Sequence, residues 1–284
     1  MLSDIFGQAL EAMRHNRRRT MITVIGMAWG IATVVLLLAY GAGFGQAFEN
    51  IFAQFGTNMI GVFPGRTSEQ AGGEKAGVQV RLTQDDVEHI QETVPGILRV
   101  SPVVDKTVPV QNELHSFNWD VAGITPELQS IQKMELAEGR LLTEADVQQR
   151  AHVTVIGSEA KTKLFSGLFP IGEKIRLNGI SFEVVGVLTP KMQEGDNSDI
   201  NRGVNVPFTT MGDIKDTKYL DGIWMDYKGD PKMVEQALRK TLAAAHNYRA
   251  TDRRAVFVAN IMEQLTQFRI ISLGCRCCCC LLGR

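Results

Sequence analysis

Apolar residues run almost unbroken from Met21 to Tyr40, and no charged side chain occurs between Thr20 and Phe48. An α-helix needs about 20 mainly apolar residues to cross a bilayer core, because its backbone groups must be satisfied within the segment. The pattern predicts a transmembrane helix within residues 20–48. A secretory signal peptide has a shorter apolar core, of about 7 to 15 residues, ending at a small-residue cleavage site. A buried core helix is the other alternative, and a charge-free run of this length fits a span better. Ahead of the run, Leu2, Ile5, Phe6, Ala9, Leu10 and Met13 recur at three- and four-residue spacing. This predicts an amphipathic helix within residues 1–19, lying on the membrane, against a partner, or as an extension of the span.

Beyond the span the periodicity alternates between that of strands and that of helices. Asn58 to Phe63 reads as a strand and Pro64 to Gly77 as a loop rich in Gly, Ser and charge. Thr83 caps a helix carrying Val87, Ile90 and Val94, with Asp85 and Asp86 in its first turn. Pro95-Gly96 stops it, and Ile97 to Val110 reads as strand. Further strands are expected at Trp119 to Ile124, Val153 to Ile156, Lys174 to Leu177, Ser181 to Leu188, Val204 to Pro207, Gly222 to Tyr227 and Ala255 to Val258. Asn178-Gly179 marks a tight hairpin. Short helices are expected at Thr143 to Val147 and Ser158 to Phe165, and a longer one opens at Asp230-Pro231. A final helix is expected from Asn260 to Ile271.

The fold class is therefore α+β, with one N-terminal transmembrane helix and an outer domain over residues 49–258. Two strand-helix-strand units, about 57–110 and 204–258, flank an inserted β-rich module at about 111–203. Residues 259–273 form a stalk helix leading back to the membrane, and 274–284 a Cys-rich tail.

Charge adds direction. The formal net charge is -1, which leaves no basic footprint for nucleic acid. Arg14, Arg17, Arg18 and Arg19 immediately precede the span. Basic flanks stay in the cytoplasm, so the N-terminus is expected inside and the main domain outside. Within the span, Gly26 with Gly30 and Gly41 with Gly45 form small-xxx-small pairs that allow close helix packing.

Candidate chemistry is sparse. All five cysteines fall at Cys275, Cys277, Cys278, Cys279 and Cys280, without the spacing that closes a tetrahedral metal site. Repeated TGC codons read in another frame give alanine or leucine, so the tail from about Gly274 is expected to be a frameshifted reading of an apolar segment. Sequencing that end of the gene tests this. No phosphate-cradling P-loop is present. Gly157-Ser158 lacks the second glycine of a nucleophile elbow, and Ser158 is expected to cap a helix. His15, His89, His115, His152 and His246 show no HExxH spacing, and Gly195 to Asp199 lacks the register of a calcium loop. No catalytic, cofactor or metal site is expected.

A series of short motifs carries a family resemblance. Leu82-Thr83-Gln84-Asp85-Asp86-Val87, Val94-Pro95-Gly96-Ile97, Val100-Ser101-Pro102-Val103 and Val121-Ala122-Gly123-Ile124-Thr125-Pro126 are followed by Glu138-Gly139-Arg140 and Val155-Ile156-Gly157. Pro170-Ile171-Gly172, Asn178-Gly179, Val184-Val185-Gly186-Val187-Leu188 and Val206-Pro207-Phe208 complete the order. The chain resembles the periplasmic core domain of MacB-like, FtsX-like ABC transporter permeases from the amphipathic helix to about Leu273. The resemblance implies a permease subunit of a mechanotransmission or export system in the bacterial inner membrane, its periplasmic domain moved by ATP hydrolysis. It implies a separate ABC ATP-binding subunit, a homodimer or related permease, and a membrane-fusion adaptor as partners. Family permeases have four membrane helices, and the later three are not seen here, so the chain reads as C-terminally truncated. Two rivals stand beside this: a single-pass periplasmic adaptor or sensor acting by protein contacts, and a tethered hydrolase dependent on Ser158 or His152.

Overall fold

A computed structural model describes residues 17–53, 58–68, 77–191 and 201–260. The expected amphipathic helix, the stalk helix beyond Asn260, the Cys-rich tail and the Gly195–Asp199 segment lie outside them. The apolar helix and the folded region after it are two separate compact units, the second spanning Ile51–Leu265.

The first described element is helix α1 (Arg17–Ala53). The folded region runs β1 (Met59–Pro64), α2 (Gln84–Thr93), β2 (Ile97–Gln111), β3 (Ser116–Ile124), α3 (Pro126–Ile131), β4 (Leu136–Gly139), α4 (Glu144–Gln148) and β5 (Val153–Ile156). It continues with α5 (Ser158–Phe165), β6 (Lys174–Leu177), β7 (Ile180–Leu188), β8 (Val204–Pro207), α6 (Phe208–Met211), β9 (Gly222–Tyr227), α7 (Pro231–Ala245) and β10 (Val256–Asn260).

Four strands lie antiparallel in the order β10-β1-β9-β2. Their inward positions, Ile60, Val62, Val100, Ile223, Met225, Tyr227 and Val256, are buried with Val87 and Ile90 of α2 and Val234, Leu238 and Leu242 of α7. Two strand-helix-strand units interleaved in this way make a split βαβ sandwich. Alternation along each strand sends one face to the helices. A buried polar link joins the helices: the Asp86 carboxylate accepts the Thr83 backbone N–H at 2.7 Å and sits 2.9 Å from His246 Nε2 at the end of α7. These hydrogen bonds outweigh burial and hold the Asp86 carboxyl below its ordinary range.

The other strands close on themselves. β2 pairs β3, β3 pairs β8, β8 pairs β5, β5 pairs β7, β7 pairs β6, and β6 returns to β2 through Val110 opposite Leu177. Within this six-stranded ring the pairs β3–β8 and β5–β7 are parallel. Closure removes free edges from the ring. Its interior holds Val108, Val110, Val121, Ile175, Leu177, Phe182, Val184, Val204 and Val206, and the fully buried Leu164 of α5 belongs to the same core. β2 serves both structures: residues 97–103 pair with β9 and residues 104–111 with β3.

The strands from 153 to 227 follow their expected ranges closely, whereas three short elements were not expected. α3 and α6 each have fewer than seven residues, and β4 is held to β7 as an edge strand. Pieces of that length carry no periodicity of their own. Asn260, assigned from sequence to a helix, instead ends β10 opposite Ile60.

β4 leads into α4 through a charged clasp. The Arg140 guanidinium donates to both Asp146 carboxylate oxygens, at 2.6 and 2.9 Å, while Asp146 also accepts from the Thr143 backbone at 2.8 Å. Arg140 and these hydrogen bonds pull the Asp146 pKa down to about 2 from an ordinary 3.8. A depressed carboxylate stabilises above its unfolded pKa and loses that contribution as pH falls through the folded value. Between about pH 4 and pH 2 the wild type should therefore lose about 1–2 kcal/mol that an Asp146→Asn variant does not lose. Urea midpoints at pH 5 and pH 2.5 check this; parallel losses in both proteins would refute it.

Candidate functional site

Helix α1 starts at the three exposed arginines Arg17, Arg18 and Arg19. Arg14 lies outside the described residues. From Met21 to Leu37 every side chain is exposed, Trp29 at 76 %, and none of the span Arg17–Leu37 is buried against protein. A stripe of apolar residues on one face would suit a water-facing helix; apolar residues all round suit lipid. The hydroxyls are satisfied inside the helix, Thr33 Oγ1 donating to the Trp29 carbonyl at 2.6 Å and Thr23 Oγ1 to the Thr20 carbonyl at 2.9 Å. That is what a medium without water demands. At 37 residues the helix is about 55 Å long, close to twice a hydrocarbon core. One apolar helix of membrane-crossing length is thus present among the described residues.

Gly26 and Gly30 lie one turn apart, and a Cβ at either would meet nothing within 4 Å. Gly41 and Gly45 continue the same helix. The structure brings no second helix against the Gly26–Gly30 pair among the described residues.

The residues weighed for catalysis are not assembled. Gly157, not Ser158, occupies the N-cap of α5, and Ser158 is its first helical residue, its carbonyl accepting from Thr162 Oγ1 at 3.0 Å. The cap is thus one residue earlier than expected. His152 Nε2 lies 3.1 Å from Asp213, on the partner of Arg150, and its ring rests on Phe182 with centroids 5.0 Å apart. His115 packs at the β2–β3 turn, Nδ1 3.1 Å from the Leu164 carbonyl. Among the described residues no three His, Asp or Glu side chains converge on a metal position.

Sequence reasoning did not find a cleft where β2 passes from the open sheet to the ring. It has a volume of about 260 Å³ and is walled by Val103, Ile124, Leu128, Met134 and Trp224. Trp224 belongs to the sheet face turned away from α2 and α7. Its ring lies over Gly61, where a Cβ would come within 2.8 Å, and meets Phe63 edge to face at 5.4 Å. The wall residues come from four elements and the loop after α3, more than 100 residues apart, and only pairing brings them together. A glycine in mid-strand, as at Gly61, is the one local signal of such a close approach.

Comparison with known proteins places this architecture. Residues 20–241 match the family model described as MacB-like periplasmic core domain. A macrolide export ATP-binding/permease protein MacB from Bdellovibrio bacteriovorus is 26 % identical over 262 residues, covering 92 % of this chain and 40 % of the relative. One of the same name from Vibrio parahaemolyticus is 31 % identical over 246 residues, 86 % of this chain and 37 % of the relative. The chain thus spans 40 % or less of these curated relatives. The crystal structure of the periplasmic region of MacB from Actinobacillus actinomycetemcomitans superposes with a TM-score of 0.60 at 22 % identity, over 76 % of this chain and 94 % of that one. The fold is therefore shared where side chains have largely diverged, and the family match covers most of the sequence. The chain belongs to the MacB-like periplasmic core domain family of ABC transporter permeases.

Proposed function

We propose that the chain is the anchor and extracytoplasmic domain of an ABC-type mechanotransmission or export permease in the bacterial inner membrane. In this reading ATP is hydrolysed by an ABC ATP-binding subunit that works with the permease. In this reading Arg14, Arg17, Arg18 and Arg19 hold the N-terminus in the cytoplasm, and α1 carries movement outwards to the folded domain. The open sheet with α2 and α7 acts as the porter-like part and the ring as the inserted part; the expected bounds of about 57–110, 204–258 and 111–203 shift, because residues 104–111 and 204–207 pair within the ring. A homodimer or related permease shares the membrane through the Gly26–Gly30 and Gly41–Gly45 faces, and a membrane-fusion adaptor receives the outer domain.

The observation that carries the proposal is the juxtaposition of a lipid-suited helix behind arginines with a family-matched domain after it. Because Cys275, Cys277, Cys278, Cys279 and Cys280 are the only cysteines, replacing them with serine gives a clean background for labelling. In that background Leu114→Cys, at a site 81 % exposed, should react with a membrane-impermeant maleimide in intact spheroplasts, and Asn16→Cys only after lysis. The chain should also co-purify with an ABC ATP-binding subunit expressed beside it. Reversed labelling would overturn the orientation, and failure to co-purify would overturn the coupling.

A further inference from the structure

The cleft at the crossing of β2 is lined by more than apolar walls. Its floor is the outer surface of the ring, where Asp105 of β2, Asp120 and Ala122 of β3, and Asn205 of β8 lie side by side. Asn205 is 8 % exposed, yet its side-chain amide makes no hydrogen bond to the described residues, while its backbone carbonyl accepts from Thr154. Asn205 lines the cleft, so what its amide exposes opens there and is available to an occupant.

The charges at the mouth point to the sign of that partner. Thr107 Oγ1 donates to one oxygen of Asp120, which lines the cleft. Asp221 adds a third carboxylate, accepting the Asp105 backbone N–H at 3.0 Å. The cation facing this group is Lys215, held by Asp221 at 2.5 Å and by the Asp105 carbonyl at 3.0 Å. Asp105 is an exposed strand residue, yet partial burial of its carboxyl and the carboxylates of Asp221 and Asp120 keep it above its ordinary range, with Lys215 opposing. Carboxylates so placed gain from a neighbouring cation. Meanwhile Trp224, Met134 and Leu128 offer apolar and π surface, which also favours a cation set against an indole.

We propose that this cleft binds a small amphipathic amine, protonated at neutral pH. Its ammonium would sit between Asp105, Asp120 and the Asn205 amide oxygen, and its apolar body against Trp224. A volume of about 260 Å³ lies just under the lower end of small-ligand pockets, about 300 Å³, so the ligand is about one ring with a short arm. Because the walls come from both the open sheet and the ring, an occupant would tie the two together. The site stands apart from the membrane orientation and the ATPase partner, and its test does not depend on either.

The test uses the full chain in lipid nanodiscs at pH 7, with 2-phenylethylammonium as probe and tryptophan fluorescence as readout, corrected by a Trp224→Phe variant. Saturable binding is expected, about tenfold tighter than for neutral 2-phenylethanol, with no saturation for phenylacetate. The Asp105→Asn/Asp120→Asn double variant should weaken the amine at least tenfold while leaving the alcohol unchanged, and Asn205→Leu should weaken both. Asp105→Glu should restore the preference for the amine, which separates charge recognition from loss of fold. Equal responses to amine, alcohol and carboxylate, a double variant that binds the amine as the wild type does, or no saturable signal would each overturn the proposal.

Discussion

Replacing Gly186 with alanine should lower the stability of the folded region by about 3 kcal/mol and release strand β4. Gly186 and Gly139 face each other across the β4–β7 pair. A Cβ on Gly186 would lie 2.2 Å from the Arg140 carbonyl oxygen, and a Cβ on Gly139 would lie 2.2 Å from the Val185 carbonyl oxygen. Real Cβ atoms do not approach backbone this closely, and neither oxygen belongs to a side chain that could rotate away. Gly139 also has φ near +83°, a conformation that side chains other than glycine disfavour. The backbone cannot yield cheaply, because Arg140 N–H donates to the Val185 carbonyl at 2.9 Å within the same crossing. Losing it would also loosen the Arg140–Asp146 clasp on α4. Urea unfolding measures the loss, and hydrogen exchange should show β4 and α4 opening while β5 stays protected. A midpoint within experimental scatter of wild type would mean that the strands cross with more room than described.

A Phe182→Ala substitution should cost about 3–5 kcal/mol, the range for removing a fully buried aromatic ring. Phe182 has no exposed surface and sits opposite Ile175 on the neighbouring strand. The ring interior is small, and its walls are fixed by closure on every side, so collapse into the void is restricted. The loss should appear as a lowered thermal midpoint. It should be larger than for Phe257→Ala, whose side chain is 59 % exposed on the open sheet. Similar effects from both would show that the ring relaxes freely, contrary to a closed structure.

Much of the local structure was legible. Asn178-Gly179 reads as a hairpin, and both residues take positive φ, 51° and 88°, as the mirror-image turn between β6 and β7 requires. Asp230-Pro231 opens α7 as expected, with the Asp230 carboxylate accepting the Lys232 backbone N–H at 3.0 Å. Pairing was not legible. Nothing in the order of residues states that Val110 meets Leu177, or that β3 and β8 run parallel, because alternation identifies a strand's faces and not its neighbours. The polar floor of the cleft was hidden for the same reason: Asp105, Asp120 and Asn205 are ordinary strand residues until three strands lie side by side. The expected strand Ala255 to Val258 begins one residue before β10 and stops two residues short of its end, since Asn260 offers no apolar signal and is held by its pairing with Ile60.

The 15 residues of β2 build both the open sheet and the ring without a loop between them. Insertions are commonly absorbed in loops, but here the passage from one structure to the other is a single pleated strand. Adding or deleting one residue near Asp105 would turn inward positions outward in one of the two structures, exposing either Val100 or Val108 and Val110. Changes in length should therefore be tolerated in the β2–β3 turn, where Leu114 lies exposed, and rejected at the strand's midpoint. Along this segment the spacing of residues is as strictly set as their chemistry.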